Sequence, residues 1–423
     1  MRGINEKGRK NMLKIIVLGI MVIVFIYDMF ISYLNYRSMK NPIPENVKGV
    51  YDEDTYKKWR EYHTEKTRLS FIVSSVSFVI SIVAMSINAY ALFAKAFPDT
   101  VFMGMFAVTL LSLLMGLFTL PFEYYEVMHI EEKYGFNRST KKTFFIDKVK
   151  GFLIGLFAMT MIGLLFITVH EKFGDWLILA MAIALTVIAL FVAFLYPLLS
   201  KIFNKFTPLE DGELKEKLTE LLQKNGYKVR DVFVMDASRR STKMNAYFSG
   251  FGKMKTIVLY DTLKDAMSVD EICAVFAHEM GHGIHKDTLK NQILTFFEMI
   301  IMSTLAYFTV QKPEIFTQFG FTGINYGFAI ILILSVEFAI IAPLLGMFMS
   351  YRSRVAEYRA DAQAVKEGYG SALISALKVL ARGNYSNLSP DPIIVKLQYS
   401  HPTLTDRVSA IEEKEKAEKI NEY

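Results

Sequence analysis

CAVFAHEMGHGIHKD, residues 273–287, sets two histidines and a glutamate just past one apolar stretch and just before another. Its centre is His278-Glu279-x-x-His282. On a helix, residues four apart lie one above the other on one face. Two imidazoles so placed can grip one zinc ion, leaving Glu279 beside a metal-bound water as general base. The competing reading is an ordinary buried helix whose histidines are bonded within the fold. The helix itself is well signalled. Ser268-Val269-Asp270-Glu271 has the capping-box pattern, and Ile272, Val275 and Phe276 supply an apolar face.

Around this stretch the chain is unusually apolar. Of 423 residues, 52% are hydrophobic and only 21% charged, and the mean hydropathy is +0.28. A soluble domain of this length carries more charge. The single cysteine, Cys273, excludes an internal disulfide and any multi-cysteine metal site, and reads as a small buried apolar residue. The net charge of +6, interleaved with apolar spans, points to a membrane surface and not to nucleic acid as a partner.

About 20 apolar residues cross a bilayer as a helix. Seven stretches qualify: 13–34, 69–94, 100–122, 151–170, 175–199, 292–311 and 327–350. The first lacks a small-residue cleavage site and contains Asp28, so it reads as an anchor that stays. With seven spans, one side holds the loops 35–68, 123–150 and 200–291 and the tail 351–423. Lysine and arginine crowd that side, which predicts it to be cytoplasmic. Arg2, Lys7, Arg9, Lys10 and Lys14 oppose this assignment, since they would have to be translocated. Ser70, Ser74, Ser77, Ser81 and Asn88 share one face of the second span. They fit close packing through small residues, and equally a face lining a wet cavity. Glu337, in the last span, fits a cavity or a structural pairing.

Four regions follow: a membrane part over 1–200, a catalytic insert over 201–291 with the zinc helix, two further spans over 292–350, and a C-terminal catalytic part over 351–423. Within the insert, EDGELKEKLTELLQKNG reads as an amphipathic helix with Leu214, Leu218, Leu221 and Leu222 on one face and Gly226 as its stop. DVFVM (231–235) and KTIVLYD (255–261) read as strands. A small sheet leaning on a metal-binding helix is a workable α+β protease scaffold, and its edge could hold an extended peptide.

Zinc needs a third protein ligand, with the fourth position left for water. In SRVAEYRADAQAV, Glu357 and Asp361 are four apart on one helical face. Glu357 could ligate directly, and Asp361 could accept a hydrogen bond from a ligating histidine and fix its tautomer. The competing reading is a charged helix in which Arg354, Glu357, Arg359 and Asp361 pair in solvent. His285 is a rival ligand on the face of 278 and 282. A helix does not easily bring imidazoles from three successive turns onto one ion, so it reads as a surface or supporting residue.

The chain resembles the type I CaaX prenyl proteases, integral-membrane zinc metallopeptidases. The resemblance rests on LPFEYYEVMHIEEKYGFNRSTKKTFFIDKVKG after the third span, FNKFTPLEDGEL, MNAYFSG, HEMGH, EYRAD and SHPTLTDRVSAIE, in that order. It implies one zinc per chain held by His278, His282 and Glu357, Glu279 as catalytic base, and Asp361 behind the ligands. It further implies Asn245 against the substrate near the scissile bond, His401 stabilising the developing oxyanion, and Arg407 bracing the group. The implied fold is mostly α: seven transmembrane helices in a barrel around a water-filled chamber, with a small zincin-like catalytic domain at its cytoplasmic end. The implied activity is hydrolysis of peptide bonds in membrane-associated substrates, lipidated or not. The chain departs from the eukaryotic pattern at Ser249, Gly283 and Thr403, and its KINEY terminus carries no evident retention signal. A bacterial plasma membrane is therefore expected in preference to the endoplasmic reticulum. In a cell without prenylation, the CaaX role would not be the native one. Other readings are a shorter membrane quality-control zinc protease, a pseudoprotease scaffold, and a seven-span transporter or receptor with structural zinc. For the last, no fourth protein ligand is evident.

Overall fold

The computed structural model describes residues 11–249 and 254–421; Arg2, Lys7, Arg9 and Lys10 lie outside them. The fold is dominated by long apolar helices: α1 (Met12–Ser38), α2 (Glu53–Ser86), α3 (Val101–Gly116), α4 (Lys141–Phe173) and α5 (Leu177–Ser200). A four-stranded sheet follows, built from β1 (Phe206–Pro208), β2 (Lys228–Met235), β3 (Ala246–Ser249) and β4 (Met254–Tyr260). The helix α6 (Glu213–Lys224) packs on it. Then come α7 (Val269–Ile284), α8 (Asp287–Val310) and α9 (Tyr326–Lys366). The chain closes with α10 (Gly370–Gly383) and α11 (Leu404–Asn421).

Six helical runs among the described residues are long and apolar enough to cross a membrane, where the sequence suggests seven stretches. The difference lies at 151–170 and 175–199. The first lies inside one run, Lys141–Val192, and the second begins inside it and extends beyond its end; a 3-10 turn at Gly174–Trp176 separates the two. Gly174 has φ 47°, a left-handed value that glycine adopts without a Cβ clash. The last run, Tyr326–Lys366, passes residue 350 without a break and carries Glu357 on its far end. Within it, Ile333–Glu337 forms a π turn. There Glu337 accepts a hydrogen bond from Thr309 Oγ1 on α8 at 2.7 Å, so this intramembrane acid has a structural partner.

Two cores are separate. One joins the apolar helices through Phe166, Phe316, Phe319 and Phe328. The other packs α6, the sheet, α7 and α10 through Leu218, Leu222, Ile257, Ile272 and Phe276. Cys273 is fully buried there, as a small apolar residue. A third cluster has no sequence signal. The turn after α1 and the start of α2 bury Val47, Tyr51 and Trp59 against Ala381, Leu388 and Val408 of the C-terminal part.

The sheet order is β1-β2-β4-β3, with β2 and β4 parallel and β3 antiparallel at the edge. The expected strands fall on β2 and β4. The edge strand β3 lies in MNAYFSG, where loop and strand residues look alike. Helix α7 begins at Ser268 with the full reciprocal capping box, which satisfies two orphan backbone donors. Its far end is set by contact with α9. A Cβ on Gly281 would lie 2.7 Å from the Ala360 Cα, and Ala360 is itself fully buried.

Gly281→Ala must therefore force α7 and α9 apart. Thermal unfolding of the purified protein should register a loss of about 1–3 kcal/mol. Gly19→Ala, a helical position with nothing within 4 Å of an added Cβ, should leave the transition unchanged or slightly higher. Equal effects at both sites would show that the close approach does not constrain the fold.

Candidate metal and active site

The helix pair α7 and α9 brings together three groups that the sequence separates by 79 residues or fewer. His278 Nε2 lies 3.5 Å from Glu357 Oε2, and His282 Nε2 lies 3.3 Å from Glu357 Oε1. The ligand atoms of all three are within 4.8 Å of one another. A tetrahedral ion with bonds of about 2.0–2.1 Å needs donor atoms about 3.3–3.5 Å apart. Glu357 is 4% exposed, and its Oε2 has no hydrogen-bond partner among the described residues. A buried carboxylate oxygen with no hydrogen bond of its own favours a cation beside it. The donor set therefore fits a metal ion, which would take the place between the two rings and the carboxylate.

The opposite nitrogen of each ring meets a carboxylate. His278 Nδ1 is 2.8 Å from Asp361 Oδ1. Arg407 clamps Asp361 with two bonds, Nε to Oδ2 at 2.9 Å and Nη2 to Oδ1 at 2.6 Å. Its Nη1 stands 3.3 Å from Glu357 Oε2. His282 Nδ1 is 3.2 Å from Asp287 Oδ2. Asp287 is 5% exposed, and its other oxygen accepts from Arg359 Nη2 at 2.9 Å. This arrangement fixes which nitrogen of each ring faces the centre. Burial alone would lower the His282 pKa; Glu357, then Asp287 and Glu279, overcome it and push it up to about 9. The carboxylates around the ring therefore favour positive charge beside them.

Asp287 is the participant that sequence reasoning misses. It lies five residues past His282, beyond Lys286 in a left-handed turn with φ 56°, so no helical spacing announces it. His285 caps the end of α7 and stands outside the ligand group.

Glu279, His278, Glu357 and Arg407 line a cavity of about 900 Å³. Asn245 and His401 line it as well. Asn245 immediately precedes β3, and its backbone carbonyl accepts from Tyr260 N at 3.1 Å. His401 is 62% exposed, with Nε2 3.4 Å from Glu357 Oε1 and Nδ1 2.9 Å from Ser400 Oγ. The cavity continues past Trp59 and His63 to Thr67 and Ser70 on α2. The Ser70 end of the serine face therefore borders the site, while Ser74, Ser77 and Ser81 are half-buried higher in the helix. Trp59 Nε1 and His63 Nε2 both bond the Tyr385 carbonyl, at 3.0 and 2.7 Å.

Two of the departures have local causes. A Cβ on Gly283 would lie 2.5 Å from the Tyr227 hydroxyl, so that ring occupies the space of a larger side chain. Thr403 supplies a cap: its Oγ1 accepts from Asp406 N at 3.1 Å at the start of α11, which carries Arg407.

Comparison with known proteins agrees with this arrangement. Residues 32–205 match the model of the CAAX prenyl protease N-terminal region with five membrane helices, and residues 208–415 match peptidase family M48. The chain is 31% identical to CAAX prenyl protease 1 of Saccharomyces cerevisiae, over 94% of this chain and 95% of that one. It is also 31% identical to the CAAX prenyl protease 1 homolog of Arabidopsis thaliana, over 95% and 97%. The crystal structure of S. mikatae Ste24p superimposes with a TM-score of 0.86 at 30% identity, covering 94% of this chain and 98% of that one. These relatives are eukaryotic and give no support to the expectation of a bacterial plasma membrane. The resemblance read from the ordered motifs holds across nearly the whole chain: it is a multi-pass integral membrane metallopeptidase, and it belongs to peptidase family M48.

Proposed function

We propose that the protein is a zinc endopeptidase, one zinc per chain, that cleaves membrane-associated peptide substrates, CaaX-type prenylated chains among them. The observation that carries the reading is the triangle of His278, His282 and Glu357, with donor spacings of 3.3–3.5 Å and Glu279 in the same cavity. The substrate class follows from the names of the relatives.

When bound, zinc supplies Lewis-acid chemistry, polarising a carbonyl and lowering the pKa of water. The remaining work belongs to the chain. Glu279 takes a proton from the attacking water at its carboxylate and delivers it to the leaving amine. His401, at the cavity mouth, donates to the oxyanion as it develops. Asp361 and Asp287 hold the two ligand rings in one tautomer, and Arg407 keeps Asp361 and Glu357 ionised and in place. The substrate extends along the edge strand β3 beside Asn245, adding a strand to the sheet. In this reading the sheet and α7 form a zincin-like domain, and the chain divides into a membrane part over 1–200, a catalytic insert over 201–291, two further spans over 292–350 and a C-terminal catalytic part over 351–423. Separate apolar and catalytic cores support that division. The spans number seven once the run Lys141–Val192 is divided at Gly174, and the site faces the cytoplasm on the lysine-rich side. They enclose a wet chamber that leads water to the metal, tolerated inside a membrane where backbone lines a cavity.

Glu279→Gln should abolish peptide cleavage while the purified protein keeps its metal and melting temperature; cleavage at the native rate would remove the glutamate from the mechanism. Glu357→Ala should lose the metal outright. Asp361→Ala and Asp287→Asn should weaken metal affinity by roughly 10–100-fold. If His285→Ala strips the metal and Glu357→Ala does not, the ligand assignment is wrong.

The chamber has its own test. Single cysteines at 74, 77 and 81, in a Cys273→Ala background, should react with a small water-soluble thiol reagent. A cysteine at Val79, which is 54% exposed on the helix's outer face, should stay unlabelled in a bilayer. Three unreactive cysteines in an active enzyme would make the serine face a packing surface.

A further inference from the structure

A second cavity, of about 330 Å³, lies where the start of α4 meets the segment after α5. Lys142, Lys150, Lys201, Lys205, Arg239 and Arg240 line it, against one carboxylate, Asp147. Arg240 uses that carboxylate. Its Nε donates to Asp147 Oδ2 at 2.8 Å and its Nη1 to Asn204 Oδ1 at 3.0 Å, tying α4 to the segment after α5. Lys150 Nζ donates to the Ile202 carbonyl at 3.0 Å. Lys201 leans on the rings of Phe206 and Phe233, 5.9 Å from each centroid. Lys142, Lys205 and Arg239 are exposed and make no ion pair among the described residues. Six cations less one carboxylate leave five positive charges around one small cavity. Gathering like charges costs free energy, so a cavity built this way favours an anion.

The position selects which anion. Helix α4 and most of α5 belong to the apolar run Lys141–Val192, and the cavity sits just outside the apolar stretches 151–170 and 175–199. Val149 is 60% exposed, Leu153 57% and Ile202 44%, so large apolar side chains stand uncovered beside the cations. That is the arrangement of a membrane interface, with a basic site for a headgroup and an apolar wall for acyl chains. We propose that this cavity binds the phosphate headgroup of an anionic phospholipid, in the leaflet on the side of the metal site, with the acyl chains along α4 and α5. The site is separate from the hydrolytic centre and takes its ligand from the bilayer.

The test uses the full chain in nanodiscs containing phosphatidylglycerol and phosphatidylcholine, with retained phospholipid counted by native mass spectrometry after release into detergent. The wild type should retain phosphatidylglycerol over phosphatidylcholine. The triple variant Lys142→Gln, Lys205→Gln, Arg239→Gln should lose that preference; about fivefold per cation predicts roughly a hundredfold for three. A control triple, Lys414→Gln, Lys416→Gln, Lys419→Gln, removes exposed cations of α11 and should retain lipid as the wild type does. Both variants should hydrolyse a soluble peptide normally in phosphatidylcholine, which separates lost binding from lost fold. If the triple variant fails to fold, Arg239→Gln alone should still show a several-fold drop. Unchanged retention in the cavity variants, or equal loss in the control, overturns the proposal. So does displacement by inorganic phosphate as effective as by phosphatidylglycerol, which would mark a site for soluble anions.

Discussion

Two helices meet at backbone distance where Gly281 faces Ala360, and the site depends on that contact. α7 carries His278 and His282, while α9 carries Glu357 and Asp361. A side chain on Gly281 would hold the helices apart and draw the carboxylate away from the rings. Glycine inside a helix costs roughly 0.5–1 kcal/mol relative to alanine, so the position gives up helix stability for proximity. The capping box at Ser268 and the buried apolar face of Ile272 and Phe276 offset the loss and keep α7 helical.

The same contact explains the layered polar groups. Once Glu357 is buried between two imidazoles, each unsatisfied oxygen and nitrogen must find a partner in low dielectric. Arg407 answers Asp361 and Glu357 from α11, and Asp287 answers His282 from the first turn of α8. Four helices, α7, α8, α9 and α11, are thereby tied to one ion-sized gap. Arg359 completes the set by bonding Asp287, so the charged helix segment 354–361 is folded into the site and does not pair with itself in solvent.

Much of this is legible in the residues. His278, Glu279 and His282 announce themselves by spacing, and Glu357 and Asp361 share one helical turn. Helix α6 and strands β2 and β4 follow apolar periodicity and stop at turn residues. What escapes is set by tertiary structure. Asp287 comes after a left-handed turn that no helical period crosses. The packing of Trp59 and Tyr51 on the C-terminal helices joins segments more than 300 residues apart. Hydropathy locates the apolar stretches, and the gap it leaves between 151–170 and 175–199 falls beside the glycine turn at Gly174–Trp176, but it does not say whether the chain bends there or runs on. The departure at Thr403 has no evident role in the sequence until its hydroxyl is seen capping α11.

The central claim is that the gap between His278, His282 and Glu357 holds a hydrolytic metal. The most direct measurement is metal content and peptide cleavage on one purified sample, before and after chelation and again after zinc is restored. The account predicts about one zinc per chain, cleavage lost in proportion to the metal removed, and recovery when zinc returns. Full cleavage by metal-free protein, or zinc retained with no cleavage by an intact, folded chain, would contradict it.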